Sequence, residues 1–220
     1  MKKRFSAKEL TTLAMITAIA YVLVSAIRIP VVLFLKYEPK DVIITIGGFL
    51  MGPGAVLISS GVVALIEMVT ISETGIIGCV MNFLSTCSFA CVAALVYKRN
   101  HTMKGAIAGL ACGTVFLVSA MMLWNYLITP LYMTGTSRSD IAEMLVPVFL
   151  PFNLIKAGLN SSITLLLYKP LVTGLRKAGL VTPSAPAASG GAVKKPFVLI
   201  FAGLLLVTCV LCVLVMRGII

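Results

Sequence analysis

Windows of about twenty apolar residues recur from one end of this 220-residue chain to the other, and that recurrence restricts the fold more than any single motif. A segment of that length, with its backbone bonds satisfied internally, spans a bilayer as an α-helix. The runs are Leu10–Ile27, Ala55–Ile71, Ile76–Tyr97, Gly105–Tyr132, Ile141–Val172 and Phe197–Met216, with a shorter one, Val42–Met51, read as a tilted or half-span helix. Hydrophobic residues make up 60% and charged residues only 11%, which excludes a water-soluble globule and a disordered chain. The expected fold is all-α: a polytopic six-helix membrane bundle followed by a seventh, C-terminal transmembrane helix.

The net charge of +11 raises the question of nucleic acid, but its placement answers it. Lys2, Lys3, Arg4 and Lys8 precede the first run. Lys98, Arg99 and Lys104 share one short loop, and Lys169, Arg176, Lys177, Lys194 and Lys195 follow the sixth run. Six spans starting from a cytoplasmic N-terminus put all three clusters inside, the positive-inside pattern of a multi-pass cell-membrane protein. Arg28, Lys36, Lys40 and Arg138 then fall outside as exceptions, beside the outer acids Glu38, Asp41, Glu73 and Asp140. No nucleic-acid partner is expected.

Local signals sharpen the picture. Ser6 and Glu9 have capping-box spacing and open the first helix. Ala14 and Ala18, four apart, give it a flat face for close approach. Arg28–Asp41 carries two prolines, three cations and two acids around an apolar centre; it reads equally as a solvated loop or as a lid over a site. Six cysteines lie in apolar segments without a histidine nearby, and Cys209-x-x-Cys212 alone is a weak metal or redox signal. The small-residue stretch TPSAPAASGG reads as a flexible linker.

Polar residues inside the apolar runs carry the functional argument. Pro147–Asn160 places Asn153 and Lys156 one turn apart on a shared face, with Pro147 and Pro151 interrupting the backbone ladder. A lysine at membrane depth costs a few kcal/mol or more and ordinarily faces a cavity or a partner. Asn82 and Asn125 lie in two further helices and Glu67 in a third, with Lys36, Tyr37 and Glu38 in the loop above. Amides offer donors and acceptors together and suit a neutral heterocycle with C=O and N–H edges. Trp124, Phe83, Leu84 and Phe152 can sandwich a flat ring. The competing reading is that the asparagines only bond helices to one another. His101, the sole histidine, sits apart in a basic loop, and no hydrolase, zinc-protease or phosphate-loop motif is present. An enzyme is not expected, nor any cofactor or metal.

At these residues the chain resembles a known family. LKYEPKD, IGGFLMGP, NFLS, YKRNHTMKGA, WNYLITPLY and PFNLIKAGLNS occur in this order and resemble the riboflavin-specific S components of energy-coupling factor (ECF) transporters, from about Leu10 to Leu175. The resemblance implies a substrate-capture protein that binds riboflavin from outside and docks on a transmembrane T component with two cytoplasmic ABC ATPases. It implies that the bundle tips over while docked. It assigns flavin contacts to Asn125, Asn153 and Lys156, a further contact to Asn82, and a gating approach to Glu38 and its loop neighbours. Ala14 and Ala18 match the family's docking face. The expected domains are 1–175 as the six-helix substrate-binding unit, 176–196 as linker and 197–220 as an additional helix, the last departing from the family. Alternatives are an S component for another vitamin or flavin analogue, and a ligandless scaffold or assembly protein.

Overall fold

A computed structural model describes residues 6–133, 135–177 and 195–219. Helix α1 (Ala7–Ala26) opens with the expected box: Ser6 Oγ accepts from the Glu9 amide, and Glu9 Oε2 accepts from the Ser6 amide. A two-stranded antiparallel hairpin follows, β1 (Ile29–Val32) and β2 (Leu35–Tyr37). Its turn residue Leu33 has φ 50°, a left-handed conformation that costs a non-glycine residue about 1–2 kcal/mol. So the irregular stretch Arg28–Asp41 is neither a bare loop nor a helix. It is a hairpin whose apolar residues Val31, Leu35 and Tyr37 pack in one cluster with Ile141, Phe149 and Phe152.

Helix α2 (Lys40–Met51) has 12 residues, about 18 Å at 1.5 Å per residue. That is short of a bilayer core. It survives because protein surrounds it, with α1, α3, α4 and α7 all against it and every residue from Lys40 to Phe49 buried. Pro39 precedes it and Gly52, at φ 91°, ends it, a backbone conformation natural to glycine. Helix α3 (Pro53–Thr70) starts with proline at its first position, where the missing N–H is harmless. Among the described residues six helices are long and apolar enough to cross a membrane, and α2 is not among them.

Helices α4 (Gly75–Arg99) and α5 (Met103–Tyr132) form the closest pair in the bundle. The reason is glycine spacing that sequence reading passed over. Gly105, Gly109 and Gly113 recur every four residues on one face of α5. A Cβ added at Gly109 would stand 2.6 Å from the Ala93 carbonyl oxygen, and one at Gly113 2.6 Å from that of Phe89. Small residues let helix backbones touch where lipid removes the hydrophobic drive for association. Gly109→Leu is therefore expected to lower stability by about 1–3 kcal/mol or more through overpacking, while Ala111→Leu on the exposed side of the same helix leaves it unchanged. Thermal unfolding in detergent compares the two; equal melting would show that α4 and α5 do not depend on this contact.

The final long element is one continuous helical path. Helix α6 (Arg138–Met144) opens on a Ser137–Asp140 capping box, passes through a π-helical turn at Leu145–Phe149, and continues as α7 (Leu150–Lys177). Pro147 lies within the wide turn and Pro151 two residues beyond it, and neither supplies an N–H to the ladder. Helix α7 overruns the expected linker start, reaching Lys177; the linker residues 178–194 lie outside the described residues. Helix α8 (Lys195–Met216) packs along α7, with Cys209 Sγ opposite Gly158, and touches β1 at its margin.

The two ends of the bundle differ. Phe49, Tyr97 and Tyr168 gather at one end, where the tyrosine hydroxyls bond to each other and Tyr97 stacks edge-on to His101. Lys98, Arg99, Lys104, Lys169 and Lys177 belong to this end. The hairpin caps the other.

Candidate functional site

Beneath the hairpin lies a cavity of about 80 Å³. Its walls come from the hairpin (Phe34, Leu35, Lys36, Glu38), α4 (Met81, Asn82, Ser85), α5 (Met121) and α7 (Phe152, Asn153, Lys156). A larger void of about 310 Å³ opens at the basic end between Gly48–Gly52, Ala94, Lys98 and His101. Among the described residues its only charged or imidazole side chains are the exposed Lys98 and His101, without the convergent buried polar groups that mark a small-molecule site.

Two chains of buried charge organise the cavity. In the first, Arg28 Nη2 meets Glu38 Oε1 at 2.8 Å and donates through Nη1 to the Ile71 carbonyl, tying the end of α1 to the end of α3. Lys40 Nζ then bridges Glu38 Oε2 at 2.6 Å and Glu67 Oε1 at 2.5 Å. Asn82 Nδ2 donates to Glu67 Oε2 at 2.8 Å. In the second, Lys156 Nζ donates to Ser85 Oγ at 2.9 Å and stands 3.3 Å from Asp41 Oδ2. Thr86 donates to Asp41 Oδ1, and Asn160 to Asp41 Oδ2. Arg28, Lys40 and Lys156 thus face Glu38, Asp41 and Glu67, three charges against three. Buried charges persist only when paired and hydrogen-bonded in this way.

Two acids at the hairpin end follow the same physics. Burial alone would push the Glu38 carboxyl up, but Lys40, Lys156 and Arg28 outweigh it and hold the group below the usual carboxylate range. At the rim, exposed Glu73 bonds Lys36 at 2.7 Å, which draws its carboxyl below the usual range too.

Of the expected site residues, the structure brings Lys36, Glu38, Asn82, Asn153 and Lys156 onto one cavity. Tyr37, Trp124 and Asn125 do not line it. Tyr37 points into the cluster behind the hairpin, and Asn125 is fully buried, accepting from Thr129. Each keeps one polar atom without a partner among the described residues: Tyr37 Oη, Trp124 Nε1 and Asn125 Nδ2. Ala14 and Ala18 are both exposed on α1.

Lys40 and Asp41, read as part of an irregular loop, are 2% and 0% exposed. Pro39 turns the chain into α2 immediately, so its first two residues enter the core. Glu67, an acid within an apolar run that needs a partner there, has one in Lys40, 27 positions away. A charged pair at the very start of an apolar run is the signal that would have found them.

The family described as ECF transporter, substrate-specific component, matches residues 8–168. The riboflavin transporter RibU of Staphylococcus aureus (strain TCH60) is 32% identical over 178 residues, covering 77% of this chain and 93% of that protein. The riboflavin transporter RibU of Streptococcus thermophilus (strain ATCC BAA-250 / LMG 18311) is 30% identical over 183 residues, 77% of this chain and 85% of that one. A solved structure of the S component of a bacterial ECF transporter superposes with a TM-score of 0.63 at 30% identity, over 77% of this chain and 98% of that chain.

Proposed function

Because the chain belongs to the family of ECF transporter substrate-specific components, we propose that it captures riboflavin at the hairpin end of the bundle. It passes the vitamin on by docking against a transmembrane T component with two cytoplasmic ATPases. The observation that carries the reading is the set of side chains converging on one buried cavity: Asn82, Asn153 and Lys156 from two helices, beneath a hairpin that contributes Lys36 and Glu38. These groups match a flat, uncharged ring with C=O and N–H edges, and the balanced charge of the core has no net attraction for an anion.

The cavity volume of about 80 Å³ is below the roughly 300 Å³ at which small-molecule pockets begin. In this reading the hairpin residues Phe34 and Leu35, which line the cavity, give way to admit the ring. Lifting the hairpin enlarges the site toward α5, where Trp124 and Asn125 lie one turn beyond Met121. Their N–H groups and the Tyr37 hydroxyl, unpartnered among the described residues, are the kind of buried orphans that a bound ligand satisfies. The N-terminus and the basic end face the cytoplasm by the positive-inside rule, and exposed Ala14 and Ala18 form the docking face of α1.

Detergent-purified full-length protein is expected to be yellow, or to quench riboflavin fluorescence on addition. Saturating riboflavin at about a hundred times Kd is expected to stabilise the fold by about 2.7 kcal/mol. Colourless protein whose melting ignores micromolar riboflavin, but responds to thiamine or biotin, would move the assignment to another vitamin.

A further inference from the structure

The amides around the cavity are held by partners that leave them one orientation each. Both carboxylate oxygens of Glu67 contact the Lys40 ammonium, at 2.5 and 2.6 Å, and an ammonium has hydrogens to give but no lone pair to accept with. Glu67 therefore stands as an acceptor, and Asn82 must turn its NH2 toward it; the bond is 2.8 Å. An amide pinned by its nitrogen offers its oxygen to the opposite side. Asn82 lines the cavity and its Oδ1 has no partner among the described residues. Asn153 is fixed likewise, its Nδ2 donating to the Phe149 carbonyl at 2.8 Å, across the turn widened by the prolines. Lys156 spends donors on Ser85 and Asp41 and keeps a third. The cavity thus shows amide oxygens from two helices beside the Lys156 ammonium.

We propose that Glu67 is a positioning residue that sets the hydrogen-bond polarity of the site: it fixes Asn82 as an acceptor, so that the site selects a ligand edge carrying an imide N–H flanked by carbonyls. The inference rests on the riboflavin reading, since the flavin ring has one such N–H, at N3, between two carbonyls. Asn82 and Asn153 oxygens meet the donor, and Lys156 meets a carbonyl. Glu67 touches no ligand in this scheme. It acts by removing the alternative rotamer of Asn82, and Lys40 serves by keeping Glu67 an acceptor.

The test measures Kd for riboflavin and for its N3-methyl derivative on the full-length protein in detergent, with wild type and Glu67→Gln side by side. A site built around a donor rejects the analogue that lacks it, so wild type is expected to prefer riboflavin by about a hundredfold or more. Glutamine can give or accept, freeing Asn82 to flip, and the preference is expected to shrink at least about tenfold in Glu67→Gln. If both affinities fall together and the ratio stays, Glu67 serves only the fold and the proposal is overturned. Equal binding of both flavins by wild type overturns it as well. Wild type that binds no riboflavin sinks the functional reading itself, and this inference with it. Should Glu67→Gln fail to fold, Lys40→Met/Glu67→Leu removes cation and anion together and must show the same narrowed ratio.

Discussion

Replacing Lys40 alone by methionine is expected to destabilise the protein by about 3–5 kcal/mol, the usual cost of stranding one member of a buried ion pair. The expectation is large because Lys40 serves two acids at once. Its ammonium is the bridge between Glu38 on the hairpin and Glu67 on α3, and its side chain is 2% exposed. Without it Glu67 keeps only Asn82, while Glu38 keeps Arg28. The effect is expected to be mostly the penalty of the orphaned acid and not the worth of the contact. The double variant Lys40→Met/Glu67→Leu should therefore recover most of the loss. Thermal or denaturant unfolding in detergent of the two variants separates these cases, and a double variant no more stable than the single one would refute the pairing.

Lys156→Met carries the second large effect, this time on the ligand. A hydrogen bond to a charged group contributes about 1.5–3 kcal/mol, so riboflavin affinity is expected to fall by roughly ten- to a hundredfold. Unliganded stability should fall less than in Lys40→Met, because Asp41 retains Thr86 and Asn160 as donors and methionine fills the space of the lysine stem. Fluorescence titration gives the affinity and unliganded melting gives the stability. Unchanged binding would remove Lys156 from the site, whatever became of the family assignment.

Much of this architecture was written in residue order. The apolar runs found every long helix to within a few residues, because length and hydropathy are what a bilayer demands. Asn82, Asn153 and Lys156 stood out because polar groups are scarce in such segments. What escaped was whatever depended on distant partners. Lys40 and Asp41 sit next to acids, prolines and a tyrosine, as surface residues do, and only the burial of α2 on all sides carries them inward. Gly105, Gly109 and Gly113 were ordinary in a glycine-containing membrane helix until Ala93 and Phe89 were seen against them. Trp124 and Asn125 were read as site residues from their chemistry, but the cavity stops one turn short of them, at Met121. The hairpin itself was legible only as an irregular segment, since Leu33 gives no turn signal of the glycine or asparagine kind.

The three-against-three balance of Arg28, Lys40 and Lys156 with Glu38, Asp41 and Glu67 has an electrical corollary. A voltage across the bilayer does work of about 2.3 kcal/mol on each unit charge per 100 mV, and on this set the sum is nil. If the bundle reorients with its cargo, the membrane potential neither drives nor brakes these six groups, and collapsing the potential with an ionophore leaves their share of the movement untouched.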